Sequence, residues 1–190
     1  MGFLALPDGY VEVRTVDFLK NKKTMAITQI ATFVAAVILV IIGNTIESFS
    51  FPNSSNSFVN ILLVFSMILL IILYIVAHEL VHALFMKTFS RRKVKFGYNG
   101  LYAFVGSEAY FNKKQFIIIS IAPVVLLGIV LLLLNIFISM KFFWLIYILQ
   151  VANLSGAAGD IYMMILLSRL PADILVKDEG IKIVMYSRML

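Results

Sequence analysis

Residues 74–86 read Tyr-Ile-Val-Ala-His-Glu-Leu-Val-His-Ala-Leu-Phe-Met, which sets His78, Glu79 and His82 in an otherwise apolar run. Such a run predicts helix. Residues four apart on a helix stand one turn above each other, so His78 and His82 can aim two imidazole nitrogens at one Zn²⁺ while Glu79 holds a water. The chain has no other histidine. Together with Asp160, these three are the strongly ionisable side chains inside hydrophobic segments, where a polar group is expensive and marks function. Two histidines that merely hydrogen-bond between helices are the plainer alternative, and the cost of placing them in lipid weighs against it.

Outward from this stretch, the composition excludes a water-soluble globule. Of 190 residues, 62% are hydrophobic and 14% charged, with a mean hydropathy of +0.99, so there is too little polar surface to cover a soluble fold of this size. Four segments, 24–43, 58–86, 115–140 and 142–167, reach the roughly 20 residues that cross a bilayer. The second and fourth exceed that length, which implies tilt or protrusion. The expected fold is an all-α polytopic membrane protein with four transmembrane helices. Nothing in the sequence marks a repeat, a linker or a second domain, so 1–190 reads as one membrane domain. Residues 1–23 carry Asp8, Glu12 and Asp17 and lack the short basic and then apolar order of a cleavable signal, so the first span is expected to be retained. With no Cys, disulfides, thiolate ligands and a Cys nucleophile are excluded.

Basic residues set the expected orientation. Fifteen of the 16 lysines and arginines fall in three places: the N-terminal segment (Arg14 to Lys23), the middle loop (Lys87 to Lys114) and the tail (Arg169 to Arg188). The segment 44–57 has none, and the turn before the fourth span has only Lys141. Both termini and the middle loop are therefore expected in the cytoplasm. The net charge of +6 reads as a topology signal and an affinity for the anionic headgroups of the lipid bilayer; no motif points to nucleic acid.

This topology allows a depth comparison. His78 lies 20 residues past Phe58 and Asp160 lies 18 past Phe142, about 30 Å and about 27 Å along their helices. Both fall near the cytoplasmic edge of the hydrocarbon. A catalytic zinc needs a third protein ligand beside two histidines, and Asp160 supplies a carboxylate at matching depth. An interhelical hydrogen bond to Ser or Tyr is the structural alternative for Asp160, and Glu108 is the rival carboxylate. Around Asp160, Asn153 shares its helix face, while Gly156, Ala157, Ala158 and Gly159 permit close helix approach or local unwinding. Asn153 either donates to a substrate carbonyl or developing oxyanion as a catalytic residue, or makes a plain interhelical hydrogen bond.

Between the second and third spans, residues 93–98 and 101–111 flank Asn99-Gly100, the preferred pair for a tight type I′ turn, and predict a cytoplasmic-side β-hairpin. Its exposed edge suits an unfolded peptide added as a strand. Residues 10–14 and 181–186 alternate as strands do and are expected to pair over the mouth of the site.

At this point the residues carry a resemblance. The order of a His78-Glu-Leu-Val-His82 span, a hairpin-like loop, a third span and a span with Asn and Asp resembles the core of site-2 intramembrane metalloproteases. Ala122-Pro123, Asn153, Gly159-Asp160 and the tail Leu175-Val-Lys-Asp-Glu-Gly180 resemble, more closely and over nearly the whole chain, the bacterial family described as putative zincin peptidases. The resemblance implies a zinc peptidase in the bacterial cell membrane, with ligands at His78, His82 and Asp160 and a catalytic Glu79. The sequence departs from site-2 proteases around Asp160: their prolines are absent, the spacing is one residue shorter, and Ile161 follows. The expected substrate is a membrane protein or peptide cleaved in or beside the membrane. A metal-binding transporter and a catalytically silent scaffold for transmembrane helices are the alternatives; the lack of a second ligand cluster opposes the first and the full catalytic set opposes the second.

Overall fold

In the computed structural model, which describes residues 2–50, 54–98, 100 and 103–188, the protein is mostly helical, with small antiparallel sheets added. Helices α1 (Lys22–Ile46), α2 (Ser57–Ser90) and α3 (Lys113–Phe137) are each continuous. The fourth apolar segment is a 3-10 turn (Met140–Phe142) leading into α4 (Phe143–Gly156) and then α5 (Ala158–Ser168). With Met140–Ser168 taken as one, four helical stretches are long and apolar enough to cross a membrane. Their outer faces carry large apolar side chains such as Phe33 and Phe65, 69% and 66% exposed. Apolar surface on that scale fits a multi-pass membrane protein.

Helix starts are written in asparagines. Asn21 Oδ1 accepts the Thr24 N–H at 3.1 Å, and Asn56 Oδ1 accepts that of Phe58 at 2.9 Å. Asn112 and Gln115 form a reciprocal capping box at the start of α3, each side-chain oxygen accepting the other's backbone N–H at 2.9–3.0 Å. The break between α4 and α5 falls at Ala157, whose ψ of 6° leaves the helical region, inside the run of small residues expected to permit unwinding. Asp160 thereby enters the first turn of α5, where the positive end of the helix dipole favours a carboxylate.

Strands β1 (Tyr10–Asp17), β4 (Tyr110–Asn112), β5 (Leu175–Asp178) and β6 (Lys182–Arg188) form a sheet in the order β1-β6-β5-β4. The terminal strands pair as their alternation predicts, from Tyr10 opposite Arg188 to Asp17 opposite Lys182, with an irregularity between Glu12 and Arg14. All-α therefore describes the apolar segments only, because the polar segments find their backbone partners in one another.

Strands β2 (Val94–Tyr98) and β3 (Ala103–Ser107) pair as a hairpin, Val94 opposite Ser107 and Tyr98 opposite Ala103. The expected Asn99-Gly100 turn falls where Asn99, Leu101 and Tyr102 lie outside the described residues. One detail differs from the sequence expectation. The second strand stops at Ser107, and Tyr110–Asn112 pairs with β5 instead, because that register carries Phe111 into complete burial.

The chain divides into two compact units. The first comprises Met1–Thr28, Glu79–Pro123 and Gly159–Leu190. Its core sets Met86 of α2, Phe116 of α3, Met163 and Leu167 of α5 and Phe111, Val176 and Met185 of the sheet against one another. The second comprises Gln29–His78 and Val124–Ala158. Phe143, Trp144 and Tyr147 pack there beside Ala36 and Leu39, and the Tyr147 hydroxyl donates to the Leu39 carbonyl at 2.8 Å.

In the first unit, Gly180 links β5 to β6 at φ +90°, and a Cβ there would stand 2.0 Å from a ring atom of Phe104. Gly180→Ala combines a left-handed backbone with overpacking and is expected to destabilise by about 2–4 kcal/mol. Gly100→Ala, at φ +91° with open space around the added Cβ, measures the backbone part alone at roughly 1–2 kcal/mol. Chemical denaturation in detergent, followed by sheet circular dichroism, checks both; equal midpoints would refute the Phe104 contact.

Candidate metal centre

The period of α2 presents His78 and His82 one turn apart, with Glu79 between them in sequence. His82 is buried; His78, Glu79 and Asp160 are half-buried. Within the first unit, Asp160 Oδ1 lies 3.7 Å from His82 Nε2. One ligand atom from each of His78, His82 and Asp160 lies within 4.8 Å of the others. Two imidazoles and a carboxylate are a donor set that zinc takes, with a fourth position left for water. Asp160 stands 78 residues beyond His82 in the sequence, and the α4–α5 break delivers it.

His82 is oriented by an irregularity in α3. Pro123 lies inside that helix and has no N–H to give the carbonyl four residues earlier, that of Ile119. The Ile119 carbonyl lies 2.9 Å from His82 Nδ1 instead. A carbonyl only accepts, so His82 Nδ1 carries the proton and the lone pair of the neutral ring falls on Nε2, the nitrogen facing Asp160.

His78 Nδ1 lies 3.1 Å from the Tyr74 hydroxyl, which donates to Asn153 Oδ1 at 2.9 Å. Asn153 is fully buried, and its Nδ2 donates to the Val124 carbonyl at 3.0 Å. Both ends of the amide therefore meet partners within the chain. Glu108, the rival carboxylate, is on the exposed hairpin end and pairs with Lys95; that pairing, through a hydrogen bond and opposite charge, holds its carboxyl below the usual range.

Sequence reasoning gave no role to Asp178, although it lies in the tail motif 175–180. It is buried at the end of β5 and accepts the Gly180 N–H at 2.8 Å. Burial pushes its carboxyl up to about 7, the Gly180 hydrogen bond and the nearby His82 oppose the rise, and the charges of Asp160 and Glu79 add to it. The folded carboxyl thus keeps its proton in a range where the unfolded chain, at 3.8, has lost it, so stability falls as pH rises from 3.8 to about 7. Asp178→Asn retains the acceptor and removes the titration. Thermal melts of chelator-treated protein should place the variant above wild type at pH 8, with the difference shrinking toward pH 4; a constant difference would refute this origin.

A helix with histidines at i and i+4 around a glutamate, completed by a carboxylate from another helix, has the donor set of a zincin-type centre within an apolar helical protein. The chain belongs to the family described as "Putative zincin peptidase", whose model matches residues 70–175, more than half of the chain. It is also 32% identical over 124 residues to a Pyrococcus woesei protein titled "Uncharacterized 24.7 kDa protein in gap 5'region". That match covers 60% of this chain and 51% of the relative, so the chain spans about half the relative's length. No solved structure matches the chain.

Proposed function

We propose that the protein is a zinc-dependent peptidase of the cell membrane that hydrolyses peptide bonds of membrane proteins or peptides close to the cytoplasmic face. The observation that carries this reading is the convergence of His78, His82 and Asp160 within 4.8 Å beside Glu79. The basic residues of both termini and the middle loop support a cytoplasmic placement for those segments, and the depth of His78 along α2 then supports cleavage near that side.

His78, His82 and Asp160 would hold the ion, which when bound would supply a Lewis acid that brings the pKa of water toward neutrality and polarises a carbonyl. Glu79 takes a proton from water as its oxygen bonds to the scissile carbon. The carbon–nitrogen bond then breaks, and Glu79 passes that proton to the leaving amine. The half-buried setting of Glu79 limits competing solvent and strengthens its charge interactions.

The test is cleavage of a panel of fluorogenic transmembrane and juxtamembrane peptides by protein reconstituted in liposomes. Zinc-dependent hydrolysis abolished by chelator supports the peptidase; zinc flux across the liposome without hydrolysis supports a transporter instead.

A further inference from the structure

We infer that Tyr74 and Asn153 are positioning residues of the metal centre: Asn153 orients the Tyr74 hydroxyl, and that hydroxyl holds His78 in the tautomer that offers Nε2 to the ion. The inference rests on the reading of His78 as a ligand. It assigns to Asn153 an action through Tyr74 rather than a contact with substrate.

Donor counting carries the argument. Asn153 Nδ2 faces the Val124 carbonyl at 3.0 Å, and a flipped amide would set two oxygens against each other there, so Oδ1 must face Tyr74. An amide oxygen only accepts. The single proton of the Tyr74 hydroxyl therefore goes to Asn153, at 2.9 Å. What the hydroxyl has left for His78 is a lone pair, so at 3.1 Å the Nδ1 of His78 is the donor. A neutral imidazole protonated at Nδ1 presents its lone pair at Nε2.

Packing keeps the relay in place. Tyr74 lies four residues before His78, one turn along α2, and the two rings meet edge to face with centroids 6.0 Å apart. Tyr74 also packs against Leu131, Ile146 and Leu149. On the far side, a Cβ at Gly128 would stand 3.0 Å from Asn153 Nδ2, so the glycine gives the amide its room. Both histidines thus commit Nδ1 to an acceptor, His82 to a carbonyl released by Pro123 and His78 to a hydroxyl set by an amide. Partners of this kind orient a ligand, raise its basicity and typically change metal affinity by about 10–100-fold.

The experiment compares wild type with Tyr74→Phe, Asn153→Ala and the double variant, each checked for folding by size exclusion and circular dichroism. Zinc affinity is read by chelator competition, and the His78 tautomer by nitrogen-15 NMR of histidine-labelled, metal-free protein. Both single variants should bind zinc about 10–100-fold more weakly and show His78 as a mixture of tautomers. The double variant should lose no more than the larger single loss, because the two act in series. Unchanged tautomer and affinity in Tyr74→Phe would overturn the inference, as would an Asn153→Ala variant that loses only turnover. His78→Ala separates the two readings: undiminished zinc binding there removes His78 as a ligand, whereas its loss beside a wild-type-like Tyr74→Phe removes only the relay.

Discussion

Glu79→Gln is expected to keep zinc and lose peptide hydrolysis by a factor on the order of 10² to 10⁴, the range associated with one positioned proton-transfer group. Glutamine matches glutamate in size and retains a carbonyl oxygen, so the helix and its two histidines should be undisturbed. It cannot take a proton from water. Position is what makes the effect large: Glu79 is fixed one residue past His78 on a continuous helix and is only half exposed, so bulk buffer is a poor substitute. Zinc content by mass spectrometry and initial rates on a cleavable peptide are read on the same preparation. Undiminished cleavage would eliminate Glu79 as the proton carrier, and lost zinc would show that its carboxylate belongs to the ligand set.

If the proposed ligand set holds, Asp160→Ala and His82→Ala should each reduce zinc affinity by more than the 100-fold upper end expected of outer-shell partners, since each would remove a bond to the ion itself. The two arrive by different routes. His82 is placed by the period of α2 and by the Ile119 carbonyl. Asp160 is placed by the interruption of the fourth apolar segment, which puts its carboxylate at a helix start and 3.7 Å from His82. Detergent-purified wild type should carry near-stoichiometric zinc and both variants close to none. Zinc retained in Asp160→Ala would demand another oxygen ligand. Glu108 is a poor candidate for that place, being exposed and paired with Lys95.

Much of this was legible without coordinates because it is local. A length of apolar residues decides that a segment prefers helix and lipid, whatever lies around it. The spacing of His78 and His82 decides their common face, since a helix has one period. The alternation of residues 10–14 and 181–186 pointed to strands, and they pair. Even the interruption before Asp160 was signalled by Gly156 and Gly159. The resemblance noted on the motifs agrees with the family match over residues 70–175.

Tertiary structure decided what depends on distant partners. Nothing local to Asp160 or Glu108 says which carboxylate stands beside His82; the packing of α5 against the sheet and α3 does. Pro123 looks like a helix fault in sequence, and only the neighbouring histidine gives the released Ile119 carbonyl a use. Asn153 is one polar residue in an apolar span by sequence, and only the fold sets Tyr74 and Val124 at the two ends of its amide. Asp178 reads as one more tail charge until β5 buries it. Sequence by itself determined the helices, their apolar faces and the histidine pair, because those follow from neighbours a few residues away. The fold decided which carboxylate stands beside His82 and which groups meet each imidazole, because partners tens of residues apart are chosen by packing.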